Sequence, residues 1–388
     1  MNSMELARQK QEYITTLRRH FHHHPELSWQ EKETQAKICS ELAELGISYE
    51  EVCGTGVIAT IGQDNPVIGL RADMDALPIQ EKTGATYASV NSGVMHACGH
   101  DGHMAMLLGV AAILAGNPEL VKGTIKLIFQ PAEECIEGGR KMSAQPVLQE
   151  LDNVMAIHLW NTLDVGKISV DAGPRMASAD TFRIVIKGKS GHGSMPHQTV
   201  DAVYLGSQVV TALQGIVSRQ INPLAPAVIS VCSFQAGNTF NILPEQAVLL
   251  GTVRCFTPEL RSSLPESMER VIAGIVAAYG GEYDFKFISG TPPTINETLS
   301  SATAAECVKA ILGESACVEL EATTGGEDFA YYLENIPGML AFVGSRNAAI
   351  DKTSAHHNEL FDIDEVALVN GVAFFLEYIQ RTMGRLQI

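Results

Sequence analysis

HMAMLLGVAAILAGNPELVKGTIKLIF, residues 103–129, decides the fold. Residues 103–115 are rich in Ala, Leu and Met and read as a strong helix. Residues 123–129, Gly-Thr-Ile-Lys-Leu-Ile-Phe, read as a strand. Upstream, 57–61 and 67–71 are short apolar runs bounded by Gly, Asp, Asn and Pro, and both read as strands. Residues 153–158 predict another. Strands interleaved with helices in this way specify an α/β layer with a mainly parallel sheet. Further out, Leu6, Tyr13, Ile14, Leu17 and Phe21 carry helical spacing up to Pro25. The same spacing recurs over 31–45, and Gly46 fits its C-cap.

The character changes after Pro174. Strands are expected at 182–187, 226–234, 247–256 and 283–288, with helices at 200–219 and 258–279. The order β-α-β-β-α-β is the ferredoxin-like pattern. It predicts an inserted domain at 176–291, inside a domain formed by 1–175 and 292–388. Beyond the insertion the α/β pattern resumes, with helices near 301–312 and 327–333, a strand at 339–343, and a last helix from about Asp364.

Of the 388 residues, 46% are hydrophobic and 18% charged, a globular composition able to bury a large core. Lys+Arg number 27 against 44 Asp+Glu, a net charge of −17. Such an acidic surface repels phosphate backbones and anionic lipid, so neither nucleic acid nor a membrane surface is expected as a partner. The eight cysteines are scattered, without a disulfide framework. No apolar run reaches membrane-helix length, and the first residues lack the apolar core of a signal peptide. The expectation is a reduced, cytoplasmic protein.

Four segments carry chemistry. The densest is His96-Ala97-Cys98-Gly99-His100-Asp101-Gly102-His103, just before the helix. Cys98 and His100 are strong divalent-metal ligands and lie two apart on a strand-to-helix turn. Gln130-Pro131-Ala132-Glu133-Glu134 follows a strand directly. Two adjacent carboxylates there diverge, so one can hold an ion while the other takes a proton from water. Each segment also has a plain reading: a loop with a buried cysteine and solvated histidines, or a helix start made acidic for its dipole. His158 closes a strand, and His356-His357-Asn358-Glu359 precedes the last helix. Taken together, Cys98, His100, Glu134, His158 and His357 flank strands and helices of one α/β unit. Ligands gather beyond the carboxyl ends of strands in such sheets. Five donors exceed the need of one tetrahedral ion, so two ions sharing a bridging ligand are the economical reading.

These motifs carry a resemblance. Leu70-Arg71-Ala72-Asp73-Met74-Asp75-Ala76-Leu77-Pro78, the His96–His103 segment and Gln130–Glu134 resemble the dinuclear metalloamidohydrolases. That branch holds hippurate hydrolase, the auxin-amino-acid conjugate hydrolases and N-acetyldiaminopimelate deacetylase, within the aminoacylase/carboxypeptidase-like metallopeptidases. Gly325-Gly326-Glu327-Asp328-Phe329 and His357-Asn358-Glu359-Leu360-Phe361 extend the resemblance over nearly the whole chain.

The resemblance implies hydrolysis of N-acyl-amino acids by two divalent ions, Zn or Mn, with Co or Ni as other occupants. Cys98 would bridge the ions, and His100, His158, Glu134 and His357 would complete their shells. Glu133 would be the general base. In the wider family an early His-x-Asp supplies a ligand; Arg71-Ala72-Asp73 stands there instead. Arg71 cannot bind a cation, which argues against the alternative of a dipeptidase or carboxypeptidase, and Asp73 is left as either a support for the site or a structural residue. His357 lacks the proline that often follows in relatives, and His356 beside it competes for the ligand role; the offset from Phe361 favours His357. Gly188-Lys189-Ser190-Gly191-His192 resembles a segment of the inserted domain whose histidine polarises the scissile carbonyl of a neighbouring subunit's substrate. That implies a catalytic His192, a homodimer or larger homo-oligomer, and a lid and dimerisation role for 176–291. Asn241 and Arg254 are candidates to meet a substrate carboxylate; a turn asparagine and a solvated strand arginine are the plain alternatives.

Overall fold

The computed structural model describes residues 2–387. The chain forms two compact units. One comprises the chain up to Gly173, Ile295–Glu321 and the chain from Asp328; the other is Pro174–Thr294 with Ala322–Glu327.

The first unit is built on a seven-stranded sheet. Its order is Ser48–Val52, Gly56–Ile61, Thr124–Gln130, Val67–Asp73, Asn153–Asp164, Gly338–Arg346, Ile168–Ser169. The four inner strands, from Thr124–Gln130 to Gly338–Arg346, are parallel. The strands flanking them are antiparallel. The parallel sheet expected from the sequence is therefore its centre. Every residue of Val67–Asp73 is buried, as a parallel strand covered on both faces requires. The core contains Ile14 and Phe21 from the helix Gln11–His23, Leu107 from His100–Gly116, and Phe374 from Val366–Leu386, with Leu127 and Met155 of the sheet. The helix His100–Gly116 is buried almost throughout, which explains why it shows no polar stripe.

The second unit has its own core, including Phe182, Leu205, Leu249 and Ile272. Its antiparallel sheet runs Ala227–Ala236, Gln246–Cys255, Ala179–Lys187, Glu282–Thr291. With the helices Ala202–Gly215 and Pro258–Ala278 the chain order is β-α-β-β-α-β, the ferredoxin-like pattern. Ala322–Glu327 joins this unit through hydrogen bonds of Thr323 with Ala177 and Arg175.

Several elements depart from their sequence outlines. The first helix is two, Ser3–Gln9 and Gln11–His23, parted at Lys10, whose backbone lies outside the helical region. The helix expected at 327–333 shortens to the turn Ala330–Leu333. Residues 216–220 widen into a π turn instead of continuing the α-helix before them. Ser48–Val52 forms an edge strand that its exposed, polar sequence does not announce.

Candidate metal centre

Parallel strands bring their carboxyl ends to one side of the sheet. Asp73 and Gln130 stand in register at two of those ends, and His158 lies in the third strand. The fourth contribution is the turn into the helix His100–Gly116. Its N-cap, Gly99, has φ 99°, and a Cβ there would stand 3.3 Å from that of Leu159. Glycine thus permits both the left-handed turn and the close approach. The turn places Cys98 and His100, both buried, beside His158.

Donor atoms of Cys98, His100 and His158 lie within 4.8 Å of one another; so do those of Cys98, Glu134 and His357, and those of His100, Glu133 and Glu134. Cys98 is common to the first two groups, the arrangement needed for a ligand shared by two ions. Cys98 Sγ is 3.6 Å from His158 Nε2, and Glu134 Oε1 is 3.5 Å from His357 Nε2 and 4.0 Å from His100 Nε2.

Each histidine is oriented from behind. His100 Nδ1 donates to the Asp75 carbonyl at 2.9 Å, and His158 Nδ1 to the Leu159 carbonyl at 2.8 Å. Both rings are thereby oriented with Nε2 toward the cluster, as ligand histidines require. The backbone N–H of His357 donates to the Ala97 carbonyl at 2.8 Å, next to Cys98. His356 takes a different path: its Nε2 donates to the Leu159 carbonyl at 2.9 Å. Of the two neighbours, His357 is the one grouped with Cys98 and Glu134.

Electrostatics show what the cluster lacks. Burial, with Asp75 and Asp73 adding to it against His100, pushes the Glu134 carboxyl up to about 7. Burial, with Glu134 nearby, pushes the Cys98 thiol well up. Burial and His103 hold His158 well below the usual imidazole range. His100 Nε2 and Glu134 Oε1 are buried without a hydrogen-bond partner. A thiol, three imidazoles and carboxylates turned toward one another, with orphaned donor atoms between them, fit divalent cations.

Arg71 is buried and neutralises acid instead of facing the ligands. It pairs with Asp73 at 2.6 Å and Asp328 at 2.8 Å, and bonds Gln130 at 3.0 Å. Asp73 also accepts from His103 Nδ1 at 2.6 Å, while His103 Nε2 accepts the Leu159 N–H at 2.8 Å. Asp73, His100 and His103 form a further group of metal-competent atoms.

Asp75 belongs to the Leu70–Pro78 motif, yet sequence reasoning assigns it no task. It accepts the N–H groups of both Glu133 and Glu134 at 3.0 Å, and the Ser28 hydroxyl at 2.6 Å. Its two-residue spacing from Asp73, which puts both on one side of the chain, is the signal that points to it.

His192, Asn241 and Arg254 belong to the second unit. His192 and Asn241 come together: His192 pairs with Ile242 across two short strands, and the Gly193 N–H donates to the Asn241 carbonyl at 2.9 Å. His192 is exposed, its Nδ1 2.9 Å from the Ser194 hydroxyl. Arg254 lies apart, on the strand Gln246–Cys255, bonded to the Val253 and Asp180 carbonyls and the Thr252 hydroxyl.

Among the described residues, no helix is long and apolar enough to cross a membrane.

Known proteins resemble the chain along most of its length. An N-acyl-L-amino acid amidohydrolase of Geobacillus stearothermophilus is 47% identical over 287 residues, covering 73% of this chain and 78% of its own. Thermostable carboxypeptidase 2 of Saccharolobus solfataricus is 39% identical, covering 93% of both. The crystal structure of a Bacillus subtilis protein described as a dinuclear metal binding peptidase from the M20 family superposes with a TM-score of 0.86 at 39% identity, covering 97% of this chain and 99% of that one. The model of Peptidase family M20/M25/M40 matches residues 69–381. The chain belongs to that family.

Proposed function

We propose that the protein is a metal-dependent amidohydrolase that cleaves N-acyl-amino acids to a carboxylic acid and an amino acid. The observation that carries this is the grouping in which Cys98 belongs to two donor sets, one of them fully buried, while Glu133 adjoins them. Cys98, His100, His158, Glu134 and His357 would hold the divalent ions, with Cys98, common to two of the donor groups, as the ligand they would share. Bound divalent ions, Zn or Mn by the chemistry of the donors, supply Lewis-acid polarisation and water of lowered pKa.

The chain's own residues do the rest. Glu133 accepts a proton from the attacking water and passes it to the leaving amine. His192 donates a hydrogen bond where charge develops on the acyl oxygen. Asn241 and Arg254 offer donors to the carboxylate of the amino acid product, and the unit carrying them acts as lid and dimer contact. The working form is a cytoplasmic homodimer or larger homo-oligomer.

A carboxypeptidase reading rests on the Saccharolobus relative. Arg71 and Cys98, standing where dipeptidases of the wider family use a histidine and a carboxylate, favour the amidohydrolase. Metal-reconstituted protein assayed with N-acetyl and N-benzoyl amino acids and with free dipeptides decides between them. Turnover of the acyl substrates, with dipeptides slower by at least about tenfold, is expected. Faster dipeptide cleavage would replace the proposal.

A further inference from the structure

Glu31 lies just outside the helix Lys32–Glu44 and is fully buried, at 0% exposure. Among the described residues, its carboxylate bonds no cation. One oxygen accepts the Ala132 N–H at 2.9 Å; the other accepts the Thr55 hydroxyl at 2.7 Å. Burial pushes this carboxyl above its ordinary range. A buried carboxylate is destabilising unless its hydrogen bonds compensate, so its position asks for a purpose.

Ala132 is the residue before Glu133, and its φ is 57°. Left-handed backbone at a residue other than glycine is strained and persists where surrounding contacts impose it. Ile136, on the far side of the carboxylate pair, has φ 64°. Between them the chain turns sharply, with the Ile136 N–H on the Glu133 carbonyl at 2.7 Å and the Gly138 N–H on the Ala132 carbonyl at 3.1 Å. Three successive N–H groups open this turn, and carboxylates take all three: Glu31 takes that of Ala132, and Asp75 those of Glu133 and Glu134. Asp75 anchors one side of the loop and Glu31 the other.

We infer that Glu31 is a positioning residue: through Ala132 it holds the strained turn that aims the Glu133 carboxylate. The inference rests on Glu133 being the proton-transfer group. Glu31 touches no ligand group itself, and Asp75 continues to hold Glu134 without it.

The test uses metal-loaded enzyme and an N-acetyl-amino acid. Glu31→Ala should lower kcat roughly 10- to 100-fold, as a misplaced reacting group does. KM and bound metal should stay within about twofold of wild type. Glu31→Gln keeps an acceptor for the Ala132 N–H and an amide partner for Thr55, so it should restore kcat to within a few-fold. Thr55→Val frees one carboxylate oxygen and should give an intermediate loss; it serves if Glu31→Ala fails to fold. Unchanged kcat in both Glu31→Ala and Thr55→Val would overturn the inference. So would a loss shared equally by kcat and KM, or a Glu31→Gln variant as slow as Glu31→Ala. Glu133→Gln measured alongside separates the two claims. If it stays active, the reading of Glu133 fails; if it is dead while Glu31→Ala is fast, only the role of Glu31 fails.

Discussion

Glu133 and Glu134 are neighbours with different surroundings, and their proposed tasks divide accordingly. Glu134 turns one oxygen toward His100 and His357, and burial pushes its carboxyl up. Glu133 shares the Asp75 anchor on its N–H but is not grouped with Cys98 and His357. Glu133→Gln keeps size and the backbone contact but cannot take a proton. Its kcat should fall by about 10²-fold or more while metal content, read by elemental analysis, stays at the wild-type level. A variant that loses its metal, or keeps its turnover, would refute the division. The residues of this centre differ in how readable they are from sequence. Cys98 and His100 announce themselves because both sit on one turn before a helix. The clamp behind Glu133 does not, since Asp75 and Glu31 lie 58 and 101 residues away from the N–H groups they accept. A glutamate at a helix start has an ordinary explanation in the helix dipole, and only the fold reveals that its carboxylate points inward.

At the scale of elements, the helix Gln11–His23 acts as a bracket. Its Arg18 is fully buried and pairs with Asp101 at 2.9 Å and Asp362 at 2.8 Å. Asp101 follows His100, and Asp362 lies on the segment after His357, so one guanidinium ties both stretches together. The pairing has a pH signature. Burial opposes the charge on Asp362, but Arg18, then Lys352, the Ile363 N–H and Tyr87 outweigh it and hold its carboxyl down to about 2, from 3.8. A carboxyl lowered by folding stabilises above its unfolded value, and that stability is lost as pH falls toward the folded one. At about 1.4 kcal/mol per unit, the contribution is about 2 kcal/mol near neutrality, lost from about pH 4 down to about pH 2. Asp362→Asn should therefore be less stable than wild type at about pH 6, with the gap narrowing as pH falls through about 3. Urea denaturation across that range measures it, and a gap independent of pH would refute the assignment. Elements are legible where burial writes a pattern. The helix after His100 shows through its composition and the inner strands through their apolar runs. Ser48–Val52 is exposed almost throughout and gains its place from the hairpin it forms with Gly56–Ile61, a backbone cause that leaves no apolar periodicity. The break at Lys10 is equally hidden, because the apolar spacing continues across it.

For the whole molecule, two separate cores on one chain frame the proposal that His192 acts at the donor cluster. His192 is exposed and belongs to the second unit, whereas the donor clusters around Cys98 belong to the first. The second unit also ends its sheet in Ala227–Ala236, a ten-residue edge strand without a charged side chain or proline. Apart from the register shift between Val231 and Ser233, nothing in that strand's own sequence blocks pairing with another chain. In the proposed dimer, His192 of one copy acts at the donor cluster of the other. Subunit mixing tests this. Glu133→Gln lacks the base and His192→Ala lacks the carbonyl donor, so each homodimer should be slower by about 10²-fold or more. If the histidine is donated in trans, a heterodimer holds one site with both defects and one with neither. Exchange should then restore activity, up to about half of the wild-type sites in each heterodimer, by counting intact sites at that per-residue loss. If His192 serves its own subunit, every site in the mixture keeps one defect and no activity returns. Demonstrated exchange without recovery would reject donation in trans and assign the histidine to closure within one chain.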